Sequence, residues 1–323
     1  MPELPTFSRP IIVVSKCLGF APCRYDGQMI HSHFVESMKP FADLIDVCPE
    51  CEIGLGVPRK PIRMIFDGNR RLVQPATGIE LTQKMENFAD FYLEGLDDFD
   101  GFILKSRSPS CGIGTTKVYP DTGEGEWINS QGNGFFADAV IRKYPQLPAV
   151  DEEQLADVIL RDHFLTVIFT LSSFREASFS VSVHSLIEYH SRNKLLLMAY
   201  DKDLMTSMGN IVANRGVLSA EEVFRQYLEL LLQALSKPAE TGSTINALMH
   251  AFGYLSRYLG AQDKFVFLQK LQCYRENASI QFELKEKIMY WALQFNVGYI
   301  SKQTFLCPYP QELACSKQNG NSR

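Results

Sequence analysis

Three apolar runs in the first third of the chain have the length and composition of buried strands. They are Ile11-Ile12-Val13-Val14, Leu44-Ile45-Asp46-Val47 and Phe102-Ile103-Leu104, each followed by turn-forming or polar residues. Between the second and third, Leu81, Met85, Phe88, Tyr92 and Leu96 recur every three or four residues, the apolar stripe of a helix that delivers the chain to Gly101. A second helix is predicted across residues 135–144. Asp121-Thr122-Gly123-Glu124-Gly125 reads as a turn at a hairpin tip. Strands alternating with helices predict an α/β domain with a mostly parallel sheet over residues 1–150. After the break at Pro145-Gln146-Leu147-Pro148, Asp151-Glu152-Glu153 reads as the acidic first turn of the next helix.

Beyond residue 151 the strand signals stop. Helical periodicity runs through 181–200, 220–235, 243–258 and 282–295, interrupted at Arg215-Gly216 and Lys237-Pro238. An all-α domain is predicted over residues 151–316, and residues 317–323 are polar enough to fray.

Composition adds limits. With 323 residues, 46% of them hydrophobic and 21% charged, the chain has room for two ordinary globular domains. The net charge of −5 gives no general attraction to nucleic acid, so any such binding must come from a local patch. The first residues lack the profile of a signal peptide, and no apolar run has the length of a membrane span. A cytoplasmic location is expected, with no membrane partner and no obligate protein partner. There, eight cysteines are ligands, nucleophiles or buried apolar groups rather than disulfides.

Each predicted strand runs into a cysteine: Cys17, Cys48 and Cys111. If the strands are neighbours in one parallel sheet, the thiolates converge at its carboxyl edge, where α/β folds place their sites. Three such thiolates in Pro- and Gly-containing loops suggest an iron–sulfur cluster with one iron left open. Zinc is the rival, because Cys48 and Cys51 have Cys-x-x-Cys spacing, but no second pair and no His-x-x-x-His accompanies them. Burial without any metal is the plainest alternative for a single cysteine. Cys273, Cys307 and Cys315 have no partner spacing and read as structural.

Two neighbours make the site a candidate for catalysis. Burial of Glu50 beside a strand end would raise its pKa toward general acid–base work, unless it simply pairs with Arg59, Lys60 or Arg63. Ser108 could donate a hydrogen bond or relay a proton. Arg59 and Arg63, with Lys105 and Arg107, could rim a site for phosphate or carboxylate, or be solvated surface. Arg24 reads either as a substrate contact or as a partner of Asp26, and Tyr25 either as a stacking ring or as core. On the helical half, His190 and Lys194 share a face with Arg192 nearby, a possible RNA contact or a plain solvated face. Asn246, His250 and Tyr254 share another.

The residues Ser15-x-Cys17-Leu18-Gly19, Cys23-Arg24-Tyr25-Asp26-Gly27, Cys48-Pro49-Glu50 and Lys105-Ser106-Arg107-Ser108-Pro109-Ser110-Cys111-Gly112 together resemble the thiouracil desulfidase (TudS-like) domain. The likeness covers roughly residues 9–150. Residues from about 160 to 313 resemble the YbgA-like helical domain, through Glu188-Tyr189-His190-Ser191-Arg192-Asn193-Lys194, Asn246-Ala247-Leu248-Met249-His250 and Pro308-Tyr309-Pro310. The pairing is similar to the two-domain RudS desulfidases of tRNA 4-thiouridine. That resemblance implies a [4Fe–4S] cluster on Cys17, Cys48 and Cys111, an open iron that takes the substrate's sulfur, and acid–base and proton-handling roles for Glu50 and Ser108. It implies 4-thiouridine in tRNA as substrate, sulfide as product, and a helical half that docks the RNA. A desulfidase of free thiouracil or thiouridine, and a zinc-stabilised, non-catalytic nucleic-acid adaptor, are the alternatives. Cys23 and Cys51 stand outside the implied ligand set.

Overall fold

The structure is a computed structural model that describes residues 6–123, 125–213, 218–275, 277 and 280–314. The expected break at Arg215-Gly216, Cys315 and the polar tail of residues 317–323 lie outside the described residues. Two compact units divide the chain, one built on Arg9–Phe164 and one on Leu165–Gln311.

The first unit begins β1 (Ile11–Ser15), α1 (His33–Met38), β2 (Asp43–Val47), α2 (Pro49–Glu52), β3 (Arg63–Phe66), β4 (Arg70–Gln74), β5 (Ile79–Glu80) and α3 (Thr82–Glu94). It continues β6 (Gly101–Leu104), β7 (Thr116–Tyr119), β8 (Asn129–Gly132), α4 (Phe135–Lys143) and β9 (Ala149–Asp151). One sheet has the order β2-β1-β6-β9 and is parallel throughout. Ser15 stands opposite Val47, and Val14 opposite Ile103, so β1, β2 and β6 end side by side. The residues following each strand therefore emerge at one edge, as expected. Apolar residues fill the strands because they are covered by helices: Val13, Phe102 and Leu104 pack with Ala89 and Leu93 of α3 and with Phe136 and Val140 of α4.

Two features differ from the sequence-based expectation. A second sheet, ordered β5-β4-β3-β7-β8, follows the first helices. Its strands are short, and β3 and β4 begin with arginines, which dilutes the apolar pattern. Its β7–β8 hairpin does carry Asp121–Gly123 in the connection, where a hairpin tip was expected. Residues 149–151 form β9 on the edge of the parallel sheet rather than leading into a helix. Asp151 then accepts the backbone N–H groups of Glu153 and Gln154, capping a short 3₁₀ turn over Gln154–Ala156.

The remaining elements are helices: α5 (Val158–Ser178), α6 (Val183–Tyr200), α7 (Lys202–Ala213), α8 (Ala220–Ala234), α9 (Thr241–Leu255), α10 (Ala261–Tyr274), α11 (Ile280–Gln294), α12 (Gly298–Ser301) and α13 (Gln311–Ala314). Ser182 and Ser219 cap α6 and α8 through their hydroxyls. Aromatic rings pack this unit: Phe174 stacks on Tyr227, and Phe252 on Phe267. Buried polar groups tie the segment after α12 to α6 and brace α6 itself. The Gln303 side chain accepts from Leu195 N and donates to Ser191 O, while Asn193 donates to Tyr189 O. No helix among the described residues is long and apolar enough to cross a membrane.

Candidate functional site

Cys17 lies two residues past β1, Cys48 directly past β2, and Cys111 in the loop that leaves β6. Cys48 is also the residue that caps α2, and Pro49 starts that helix with its ring angle already helical. Cys48 and Cys111 are buried and Cys17 half-buried. All described cysteines are free thiols. The thiols of Cys17 and Cys48 are both in hydrogen-bonding contact with that of Cys23, and Cys48 with that of Cys51. The Cys23 carbonyl oxygen accepts from both Cys48 Sγ and Cys51 Sγ at 3.8 Å. Thus Cys23 and Cys51, which the resemblance left outside the ligand set, sit against Cys17 and Cys48.

Cys111 occupies a separate, tighter cradle. The Ser108 Oγ accepts from the backbone N–H of Ser110 and of Cys111, and the Ser108 and Ser15 hydroxyls both hydrogen-bond the Cys111 sulfur. The start of α4 closes over the same loop: Phe135 N donates to Pro109 O, Phe136 N to Ser110 O and Gly134 N to Gly112 O. A Cβ on Gly134 would fall 2.4 Å from the Ser110 carbonyl, so only glycine permits this approach.

Burial pushes the Cys111 thiol up to about 12. The Cys17 thiol, hydrogen-bonded to Cys23, pushes the latter to about 12, and burial lifts Cys51 to about 11. Such thiols release their protons when a metal takes the sulfur. The donor set is entirely soft sulfur, which suits iron–sulfur clusters. Among the described residues no three Cys, His, Asp or Glu side chains close on one point as the ligands of a single ion do. A cluster makes a different demand, since its thiolates are spread over separate irons. These residues fit such a group.

Glu50 projects from α2 beside the cysteines, and Arg59 binds it through Nη2 at 2.7 Å and Nε at 2.8 Å. Of the partners considered for Glu50, Arg59 is therefore the one that forms the salt bridge. Arg59 is almost fully buried and also donates to Cys23 O at 2.9 Å and toward Cys51 Sγ at 3.8 Å. Ser110 Oγ donates to the other Glu50 oxygen at 3.2 Å. The counter-charge and the hydroxyl offset the desolvation of the carboxylate and fix its direction.

The remaining expected site residues separate. Lys105 is ion-paired with Glu152, whose other oxygen accepts from Ser106 N, and Arg107 pairs with Glu153 at 3.0 Å. Arg24 pairs with Asp26 at 3.2 Å and lies over the exposed Tyr25 ring. Arg63 belongs to the second sheet, donating to Gly123 O and covering Tyr119. Each of these four cations has an acidic, carbonyl or aromatic partner. His190 does not join Arg192 and Lys194 on an exposed face. It faces Tyr227, Nδ1 to hydroxyl 3.1 Å, and burial lowers it to about 4, so it is neutral at pH 7. Arg192 and Lys194 are exposed.

Sequence reasoning missed Ser110, Ser15 and Glu152. Ser110 stood inside a motif already singled out. Glu152 had no local signal, because its partner Lys105 is 47 residues away.

Comparison with known proteins finds two family matches, one in each half of the chain. Residues 12–152 match the family model of 2-thiouracil desulfurase. Residues 194–310 match DUF1722, a family of unknown function. The uncharacterized protein YbbK of Bacillus subtilis (strain 168) is 29% identical over 158 residues, 46% of this chain and 100% of YbbK. The uncharacterized protein YbgA of Escherichia coli (strain K12) is 23% identical over 128 residues, 39% of this chain and 76% of YbgA. A solved structure, that of the [4Fe–4S]-dependent thiouracil desulfidase TudS, is 29% identical and covers 46% of this chain and 94% of its own, with a TM-score of 0.37.

Proposed function

Because the chain carries a 2-thiouracil desulfurase domain followed by a DUF1722 domain, we propose that it is an iron–sulfur desulfidase that converts 4-thiouridine in tRNA to uridine with release of sulfide. The observation that supports this reading is that Cys17, Cys48 and Cys111 all follow the carboxyl ends of three adjacent parallel strands, with Glu50 on the helix that Cys48 starts. These three cysteines would hold a [4Fe–4S] cluster. When bound, the cluster supplies a Lewis-acidic iron with affinity for a soft thiocarbonyl sulfur.

The chain's own residues do the rest. Glu50, held by Arg59 and Ser110, takes a proton from the water that attacks the ring carbon. Ser108 and Ser15 steady the Cys111 sulfur through their hydroxyls. The overall change replaces C=S by C=O, with water consumed and hydrogen sulfide released, and needs no external oxidant or reductant. Support for an RNA substrate comes from the helical unit. There Arg257 covers the exposed Tyr258, Lys287 lies over the exposed Tyr290, and Arg192 and Lys194 are exposed. Cations beside exposed rings are the side chains that grip phosphates and stack on bases.

One observation favours a second reading, desulfidation of free thiouracil or thiouridine. The cations nearest the cysteines are already paired, which leaves little there for a polyanion. Sulfide release by anaerobically reconstituted protein separates the two. The tRNA reading expects a higher kcat/KM on thiolated tRNA than on the free base, falling as salt rises. Equal or higher kcat/KM on the free base would establish the small-molecule reading. A colourless, zinc-loaded protein that releases no sulfide would leave only a nucleic-acid adaptor.

A further inference from the structure

Five thiols gather at the sheet edge, and the proposed function uses three. We propose that Cys51 is a fourth, displaceable ligand, its thiolate occupying the cluster's open iron until the substrate's sulfur replaces it. The inference rests on the cluster reading above.

Cys48 caps α2 and Cys51 comes three residues later, so both lie on one side of that single turn. Their sulfurs share the same acceptor, Cys23 O, each at 3.8 Å. Arg59 decides between the two spare cysteines. Its guanidinium grips Glu50 through Nε and Nη2 while Nη1 lies 3.8 Å from Cys51 Sγ. The Cys51 sulfur is thereby on the Glu50 side of the site, where a substrate must sit to meet that carboxylate. The Cys23 sulfur is turned instead toward the sulfurs of Cys17 and Cys48.

Arg59 also makes the exchange workable. When substrate arrives, one iron–sulfur bond to Cys51 breaks and one to the thiocarbonyl sulfur forms. The released Cys51 sulfur remains 3.8 Å from the Arg59 guanidinium, and no electron moves. Cys51 then shields the open iron between turnovers and sets a threshold that a hard ligand such as water cannot cross.

The test compares the wild-type chain with C51A and C23A after anaerobic reconstitution. Iron and acid-labile sulfide are measured first. Each sample is then titrated with ferricyanide while the three-iron signal is followed by electron paramagnetic resonance. In that reaction [4Fe–4S]²⁺ gives [3Fe–4S]⁺, Fe²⁺ and one electron, which ferricyanide accepts. A thiolate on the fourth iron retards the loss. The expectation is a three-iron signal at least severalfold stronger in C51A than in wild type at equal oxidant, with C23A like wild type. Identical titrations of wild type and C51A, both carrying a full cluster, overturn this assignment and leave the desulfidase reading standing. A change confined to C23A moves the fourth ligand to Cys23 and also overturns it. A wild-type protein without labile sulfide removes the cluster itself, and the assignment with it.

Discussion

The two units solve the problem of buried polarity in different ways. In the α/β unit, charges and thiols are drawn under the surface and matched to one another: Glu50 with Arg59, Lys105 with Glu152, Cys111 with two serine hydroxyls. In the helical unit neutral groups such as Gln303 and Asn193 serve the backbone amid stacked rings, and the buried Lys285 ammonium lies over the Phe305 ring. Burying charge is costly unless every partner is in place, so a fold keeps such an arrangement where chemistry requires it. The helical interior holds its buried Lys285 against an aromatic ring instead. Its chemistry-bearing residues are on the outside, where Arg192, Lys194, Tyr258 and Tyr290 are exposed.

The comparison breaks most decisively at the cysteines. Cys17→Ala, Cys48→Ala and Cys111→Ala are each expected to abolish the cluster and turnover together, read as lost iron, colour and sulfide release, whereas Cys273→Ala in α10 should change none of them. Next in size is Glu50. Glu50→Gln retains a partner for the buried Arg59, so the protein should fold and keep its colour while turnover falls by about 10²-fold or more. Retention of wild-type turnover would remove Glu50 from the reaction.

A pair of glycines contrasts the two interiors. Gly134→Ala should cost about 1–3 kcal/mol of stability, because the new methyl meets the Ser110 carbonyl, and it should lower cluster content as the Cys111 loop shifts. Gly253→Ala, in α9 with open space around the added methyl, should instead stabilise by about 0.5–1 kcal/mol. Thermal denaturation of both variants reads the sign.

The helical interior has its own pH signature. His190 is held near 4 against an ordinary 6.5, so the folded state favours the neutral ring. Its contribution is fully present above about pH 6.5 and is lost as the pH falls toward 4, where only the unfolded chain takes up the proton. Discounted for partial exposure, the loss is about 1–2 kcal/mol. His190→Gln, which can still bond the Tyr227 hydroxyl, should be less sensitive than wild type across that window.

What could be read in the sequence follows the same division. The strand-end cysteines and Glu50 were legible because each lies within a few residues of the apolar run that positions it. The stripe from Leu81 placed α3, and the aperiodic stretch before Gly101 placed its end. The second sheet was hidden by its arginines: Arg63, Arg70 and Arg71 interrupt the alternation that marks a strand. Long-range partners were hidden for a different reason. Nothing near Glu152 announces Lys105, and nothing near His190 announces Tyr227, because these contacts exist only once separate elements pack. That is why His190 read as part of a basic face from spacing, though its side chain turns inward.

The central claim is that the strand-end thiols of the α/β unit hold an iron–sulfur cluster that serves desulfidation. The most direct measurement is the iron and acid-labile sulfide content of the anaerobically reconstituted chain. About four of each per chain, with a brown colour, is the expected result. A colourless protein that binds zinc and no labile sulfide would contradict the account.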